Sequence, residues 1–195
     1  QNYAQSLGQY LETSWSHEVT TLGYDTPELG SDGRLEVFIW NLGTGLYGLA
    51  MPTIPFLTEG YILINNDFSW AFNSDPAGSD LGAMKVTAAH EFYHHIQFGY
   101  LNILEAIGDS WWIESSAVFM EDEVFDDVND YVNYLPSFYD KTEVSIDSID
   151  GGYETAIINK LLKEKYSSGD PIIIKKVLEE IGILTSAEDS MNNVL

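Results

Sequence analysis

Strand-like and helix-like patterning are segregated along this chain of 195 residues. Between residues 35 and 64 lie three short runs rich in β-branched and aromatic residues: Leu35-Glu36-Val37-Phe38-Ile39-Trp40, a Gly- and Pro-bounded piece at 46–52, and Tyr61-Ile62-Leu63-Ile64, which ends at Asn65-Asn66-Asp67. Before them, Tyr3, Leu7, Tyr10, Leu11, Trp15, Val19 and Leu22 recur every three or four residues. That stripe predicts one helix of about five turns, stopped at Gly23. After residue 80 no strand pattern returns. Helices are predicted over 81–100, with Asp80 as cap and Gly99 near the stop, and from Asp109 or Ser110 to about 125. Others are predicted over 127–135, stopped by Pro136, over 153–166, and over 171–181, with Asp170 as cap, Pro171 at the first helical position and Gly182 as stop. The order of helix, strands and then helices only predicts an α+β fold with a small mixed sheet in the N-terminal half. A single domain over 1–195 is expected, built from a sheet-bearing part, 1–100, and a helical part, 101–195.

Charge narrows the partners. Eight Lys and Arg against 31 Asp and Glu give a formal charge of −23, a potential that repels nucleic-acid backbones and anionic membranes. High-salt adaptation, calcium sites and solubility outside the cell all fit such acidity. No apolar run approaches the ~18 residues that span a bilayer, so no membrane insertion is expected, and the first residues lack the pattern of a signal peptide. With no cysteine in the chain, disulfides, thiol nucleophiles and zinc–thiolate sites are excluded. A metal would have to be held by histidines and carboxylates.

Such a set stands inside the predicted 81–100 helix. His90-Glu91-Phe92-Tyr93-His94 puts two imidazoles one turn apart on a single helical face, with Glu91 flanking it. Two neutral imidazoles and a carboxylate suit Zn²⁺ and leave a coordination position open. Glu114 follows 20 residues after His94, near the start of the next predicted helix, and is the candidate third ligand.

This pairing resembles the gluzincins, the zinc peptidases that include thermolysin and the single-zinc aminopeptidases. The stretch from Val86 to Phe98 with Trp111-Trp112-Ile113-Glu114 and Met120-Glu121-Asp122-Glu123 is more closely similar to a group of metallopeptidase-like domains of secreted or cell-surface prokaryotic proteins. The strong part of the likeness covers residues 85–131. It implies a zincin-like fold, a secreted or cell-surface location and hydrolysis of peptide or protein substrates. His90, His94 and Glu114 would bind zinc, and Glu91 would serve as general base on the zinc-bound water and as proton shuttle to the leaving amine. Tyr153, in Gly151-Gly152-Tyr153-Glu154-Thr155-Ala156, resembles the tyrosine that supplies an oxyanion donor in the aminopeptidase-like branch. The family also lays substrate antiparallel along an edge strand, and Gly48-Leu49-Ala50-Met51, bounded by Pro52, is the matching short edge. One position departs: thermolysin-like enzymes often carry Asp four residues after the glutamate ligand to orient the first histidine. Here that position is Val118, so support for His90 must come from a carbonyl or another carboxylate.

Other features have simpler readings. His95 lies about 100° round the helix from His94 and reads as structural, His17 as an ordinary polar residue, and Trp111-Trp112 as packing. The run Glu121 to Asp127 with Asp130 lacks EF-hand spacing and reads as a solvated acidic face, with Ca²⁺ as the alternative. Ser186-Ala187-Glu188-Asp189 resembles a capping box only two turns before Leu195, which suggests an excised domain whose last helix originally continued. The competing functional expectation is a catalytically inactive, metal-containing module that binds protein or peptide; a non-peptide hydrolase built on the same site is the third.

Overall fold

The computed structural model describes residues 2–52, 60–101, 108–149, 151–182 and 185–195. It is an α+β structure with one small mixed sheet. Helix α1 (Tyr3–Trp15) opens with Asn2 accepting from the Ala4 N–H, and a π-helical turn (Ser16–Thr21) carries it on to Gly23 at φ +73°. Strands β1 (Glu36–Trp40), β2 (Gly48–Met51) and β3 (Tyr61–Asn65) follow in the sheet order β1-β3-β2. β1 runs parallel to β3 and β2 antiparallel to it, so β1 and β2 are the outer strands among the described residues.

Helix α2 (Ser79–Tyr100) departs from an ordinary amphipathic helix: from Gly82 to Gln97 every residue except Lys85 is buried. A helix enclosed on all sides must satisfy polar side chains internally, which is unusual for a span carrying three histidines and a glutamate. Asp80 was expected to cap it, yet the helix begins at Ser79, and Asp80 sits in its first turn. Helix α3 (Ser110–Val124) matches its predicted span. The predicted 127–135 helix is absent. Asn129 takes φ +52°, a 3-10 turn covers Asp130–Tyr134, and Pro136 lies in the first turn of a new helix, α4 (Leu135–Asp140). Proline lacks a donor that the first turn does not use, so the residue expected to stop one helix helps start another. The last helices are α5 (Ala156–Leu161, preceded by the 3-10 turn Tyr153–Thr155 and followed by a π turn, Leu162–Tyr166), α6 (Ile172–Glu180) and α7 (Ala187–Val194). Ser186 caps α7 by accepting from the Asp189 N–H at 3.2 Å, whereas α6 has Pro171 at its N-cap position, one residue after the predicted Asp170, whose side chain accepts from the Ile172 N–H at 2.9 Å. No described helix is long and apolar enough to cross a membrane.

Two compact units emerge: Gln1–Gly99 with Met120–Asp130, and Tyr100–Phe119 with Tyr131–Leu195. In the first, Ile62, Ile64, Leu7, Phe68, Met84 and Ala88 form a core against which Tyr3, Tyr10 and Leu11 pack. Burying Ile62 and Ile64 completely contributes about 1.5–3 kcal/mol each, which fixes the register of β3 on that face. In the second, Ile173, Ile174, Val177 and Leu178 form the buried face of α6, and Ser115 accepts from Asn159 at 2.8 Å. Gly152, at φ +74°, sits so close to Trp111 that a β-carbon there would collide with the Trp111 main chain. Helix α3 is one continuous helix whose first ten residues count with the second unit and whose last five count with the first.

Candidate metal centre

Successive turns of α2 bring the two imidazoles together. The rings of His90 and His94 stand 4.6 Å apart and nearly perpendicular, with their Nε2 atoms 3.0 Å from one another. Their other nitrogens are held: His90 Nδ1 lies 2.7 Å from Glu121 Oε1, and His94 Nδ1 lies 2.7 Å from Gln97 Oε1. Each partner oxygen can accept, an arrangement that suits a proton on each Nδ1 and a lone pair on each Nε2. Two such lone pairs converging in a buried space suit a cation between them. Tetrahedral zinc, with Zn–N of about 2.0–2.1 Å, sets an N···N separation of about 3.3 Å, close to what the helix already provides.

The third candidate ligand comes from α3. Glu114 and Glu121 are seven residues apart on that unbroken helix, about two turns, and lie along one side of it. While Glu121 reaches the Nδ1 of His90, one oxygen of Glu114 and one ring nitrogen each of His90 and His94 lie within 4.8 Å of one another. Among the described residues this is the only such three-ligand group. The chemistry of the set, two neutral imidazoles and a carboxylate, fits a divalent ion of the zinc type.

Glu91 is buried beside His90, and β2 comes close to it. A β-carbon on Gly48 would stand 2.8 Å from both Cγ and Oε1 of Glu91 and 2.7 Å from Cγ2 of Thr87, so only glycine lets the strand lie this near. The predicted edge Gly48-Leu49-Ala50-Met51 is an outer strand of the sheet among the described residues, with Gly48 and Ala50 facing inward, as their burial shows.

Two carboxylates that sequence reasoning did not assign to the site interact with His90, Glu121 by direct contact and Glu18 through its charge. Val118 is buried and apolar, and the orienting carboxylate is Glu121, seven residues after Glu114 instead of four. Burial pushes the Glu121 carboxyl up to about 7, opposed by the hydrogen bond and charge of His90 and reinforced by Asp130 and Glu91. The solvated acidic face expected here is therefore corrected: Glu121, Asp122 and Asp130 are buried, and only Asp126 and Asp127 of the run are exposed. The spacing of seven on a helix was the available signal, obscured by reading the run as surface. Glu18 is the other. It lies on the π turn after α1, fully buried, with neither carboxylate oxygen hydrogen-bonded. Burial raises its carboxyl well above the usual range, and nearby His90 acts in the opposite direction. Nothing in the local sequence, Ser16-His17-Glu18-Val19, marks it; a glutamate one position before a stripe residue reads as solvent-facing.

The remaining candidates have these surroundings. His95 is buried with its ring 5.7 Å from Phe98, and burial, opposed by a hydrogen bond to the Tyr61 backbone, lowers its basicity. Trp111 and Trp112 are core residues of the second unit. Tyr153 heads the 3-10 turn there, with its ring 5.4 Å from that of Tyr134. Set against protein-family models, curated proteins and solved structures, the chain matches none.

Proposed function

We propose that this chain is a zinc-dependent peptidase of zincin-like fold, acting on peptide or protein substrates outside the cell or at its surface. The observation that carries the reading is the convergence of His90 and His94 through their Nε2 atoms, each ring locked by an acceptor on Nδ1, with Glu114 in reach. His90, His94 and Glu114 would hold the ion. When bound, zinc lowers the pKa of a water to about 7 and polarises a carbonyl. Glu91 is suited to take that proton and return it to the leaving amine, because it is buried, adjacent to His90 and free of side-chain crowding from Gly48. Glu121 and Gln97 orient the imidazoles. The peptide would pair along β2, and Tyr153 is assigned the donor that meets the developing oxyanion.

Metal content by elemental analysis, on protein purified without added metal, tests the site without a choice of substrate. About one zinc per chain is expected, and none in His90→Ala or His94→Ala. Protein that stays zinc-free after remetallation would sink the proposal. Zinc bound equally by wild type and Glu91→Gln, with neither cleaving a broad peptide library, would instead favour a binding module that has no catalytic activity.

A further inference from the structure

A cavity of about 460 Å³ lies within the first unit, lined from α1, from the segment leading into β1, from β1 itself and from α2. Its contribution from α2 is Phe92, which stands about 160° round that helix from His90 and from His94, so the cavity is separate from the metal centre. Leu11, Trp15, Leu35 and Val37 supply apolar wall and stay only half-buried, although the first two belong to the stripe of α1. The rings of Trp15 and Phe92 stand 5.7 Å apart at 45°. Gly8, Leu11, Glu12 and Trp15 share one face of α1 by their spacing of three and four. A β-carbon at Gly8 would meet nothing within 4 Å, so a glycine that weakens the helix also keeps this face open. The volume is that of a small-molecule site, and apolar walls with a few polar groups are the usual make-up of one.

The polar groups are two charges of opposite sign, Glu12 and Arg34, both exposed and therefore at the opening. Arg34 is the only arginine in the chain. A closed turn carries it: its carbonyl accepts from the Gly30 N–H at 2.8 Å, its N–H donates to Asp32 Oδ1 at 3.1 Å, and Gly33 takes φ +76°. Among the described residues neither Arg34 nor Glu12 forms an ion pair, with each other or elsewhere, whereas Lys85, the other basic residue of this unit, pairs with Asp75.

We infer that this cavity binds a free α-amino acid with an aromatic side chain. Arg34 offers paired N–H donors to the carboxylate, Glu12 accepts from the ammonium, and Trp15 and Phe92 meet the ring. The two local charges select the class. An apolar monoanion would bring its charge up to Glu12 and an apolar amine would bring its own up to Arg34, while a zwitterion satisfies both. Binding here requires neither zinc nor the peptidase reading.

Isothermal titration calorimetry on the chain as purified, with L-phenylalanine, 3-phenylpropionate, phenethylamine and L-alanine as probes, reads this directly. Phenylalanine should bind at about one site per chain. The two compounds that lack one charge should each bind about fivefold more weakly, since both charges at the opening are exposed, and alanine, which lacks the ring, at least about tenfold more weakly. Arg34→Gln should weaken phenylalanine and 3-phenylpropionate about fivefold and leave phenethylamine no weaker; Glu12→Gln should weaken phenylalanine and phenethylamine and leave 3-phenylpropionate no weaker. Gly8→Leu should abolish binding while the melting temperature holds or rises, because leucine favours the helix at an exposed position, so lost binding there is not lost fold. Absence of phenylalanine binding overturns the inference. So does affinity that survives Gly8→Leu, which would put the ligand elsewhere, the metal centre included, and so does either singly charged compound binding as tightly as phenylalanine.

Discussion

Buried carboxylates are treated differently in the two units. In the second, Glu154 is buried, but Lys141 pairs with it and Ser137 donates to it at 3.1 Å; burial alone would raise its carboxyl, yet these contacts hold it below the ordinary range. In the first, Glu121 has one oxygen on His90 and the other without a hydrogen bond, and the remaining charges acting on it are those of Asp130 and Glu91. Glu18 lacks a hydrogen bond at either oxygen. A buried acid with no cation of the chain beside it is kept neutral by its proton, unless a guest cation such as a metal ion supplies the positive charge. The contrast separates an acid whose charge the chain itself balances from acids whose burial favours the protonated form.

The largest effect is expected at Glu91. Glu91→Gln should lower kcat by about 10²–10⁴-fold while zinc content stays near one per chain, as measured by peptide hydrolysis alongside elemental analysis. Retained turnover would remove Glu91 from proton transfer. Gly48→Ala comes next. Its methyl group would enter the space of Glu91 and Thr87, and displacing either the carboxylate or the strand by an ångström should cost about 10²-fold in kcat/KM with zinc retained. Glu121→Ala should weaken zinc about 10- to 100-fold in competition with a chromophoric chelator, because His90 loses the acceptor that fixes its ring. Glu154→Gln is the matched control from the other unit. It should leave zinc affinity unaltered and cost at most about 1 kcal/mol in urea unfolding, since Lys141 is partly exposed. If both substitutions shift zinc equally, the contrast fails.

The parts of this molecule legible in the sequence were those whose signal is local. The stripe of α1, the strands, the span of α2 and the pair His90 and His94 follow from periodicity and spacing, because a helix presents residues four apart on one face whatever surrounds it. Pro136 was misread because proline carries opposite meanings at the two ends of a helix, and the sequence alone does not say which end is near. Glu121 and Glu18 were missed for a different reason. Burial of a carboxylate is decided by what packs over it, here the total enclosure of α2 and a π turn at the end of α1, and neither leaves a mark in composition. Gly48 was assigned as one end of an edge strand, but its reason for being glycine, the approach of Glu91, belongs to tertiary structure alone.

Glu18 offers the smallest and most specific test of the contrast. Its folded-state carboxyl titrates above its ordinary value of 4.5, mainly through burial. Stability from the protonated form is therefore complete below that value and is lost as pH rises through and beyond it, toward the folded-state value. The loss proceeds at up to about 1.4 kcal/mol per pH unit in the metal-free chain. Glu121 and Asp109 are raised as well, so the wild-type curve alone does not isolate Glu18. The difference between wild type and Glu18→Gln does, because glutamine cannot titrate. In urea unfolding of metal-free protein, the variant should gain on wild type steadily from about pH 5 upward. With zinc bound the gain should shrink, since a cation held at His90 favours the ionised carboxylate in the same buried space. A pH-dependent gain of the same size with and without zinc would show that Glu18 is buried for packing alone and takes no part in balancing the metal's charge.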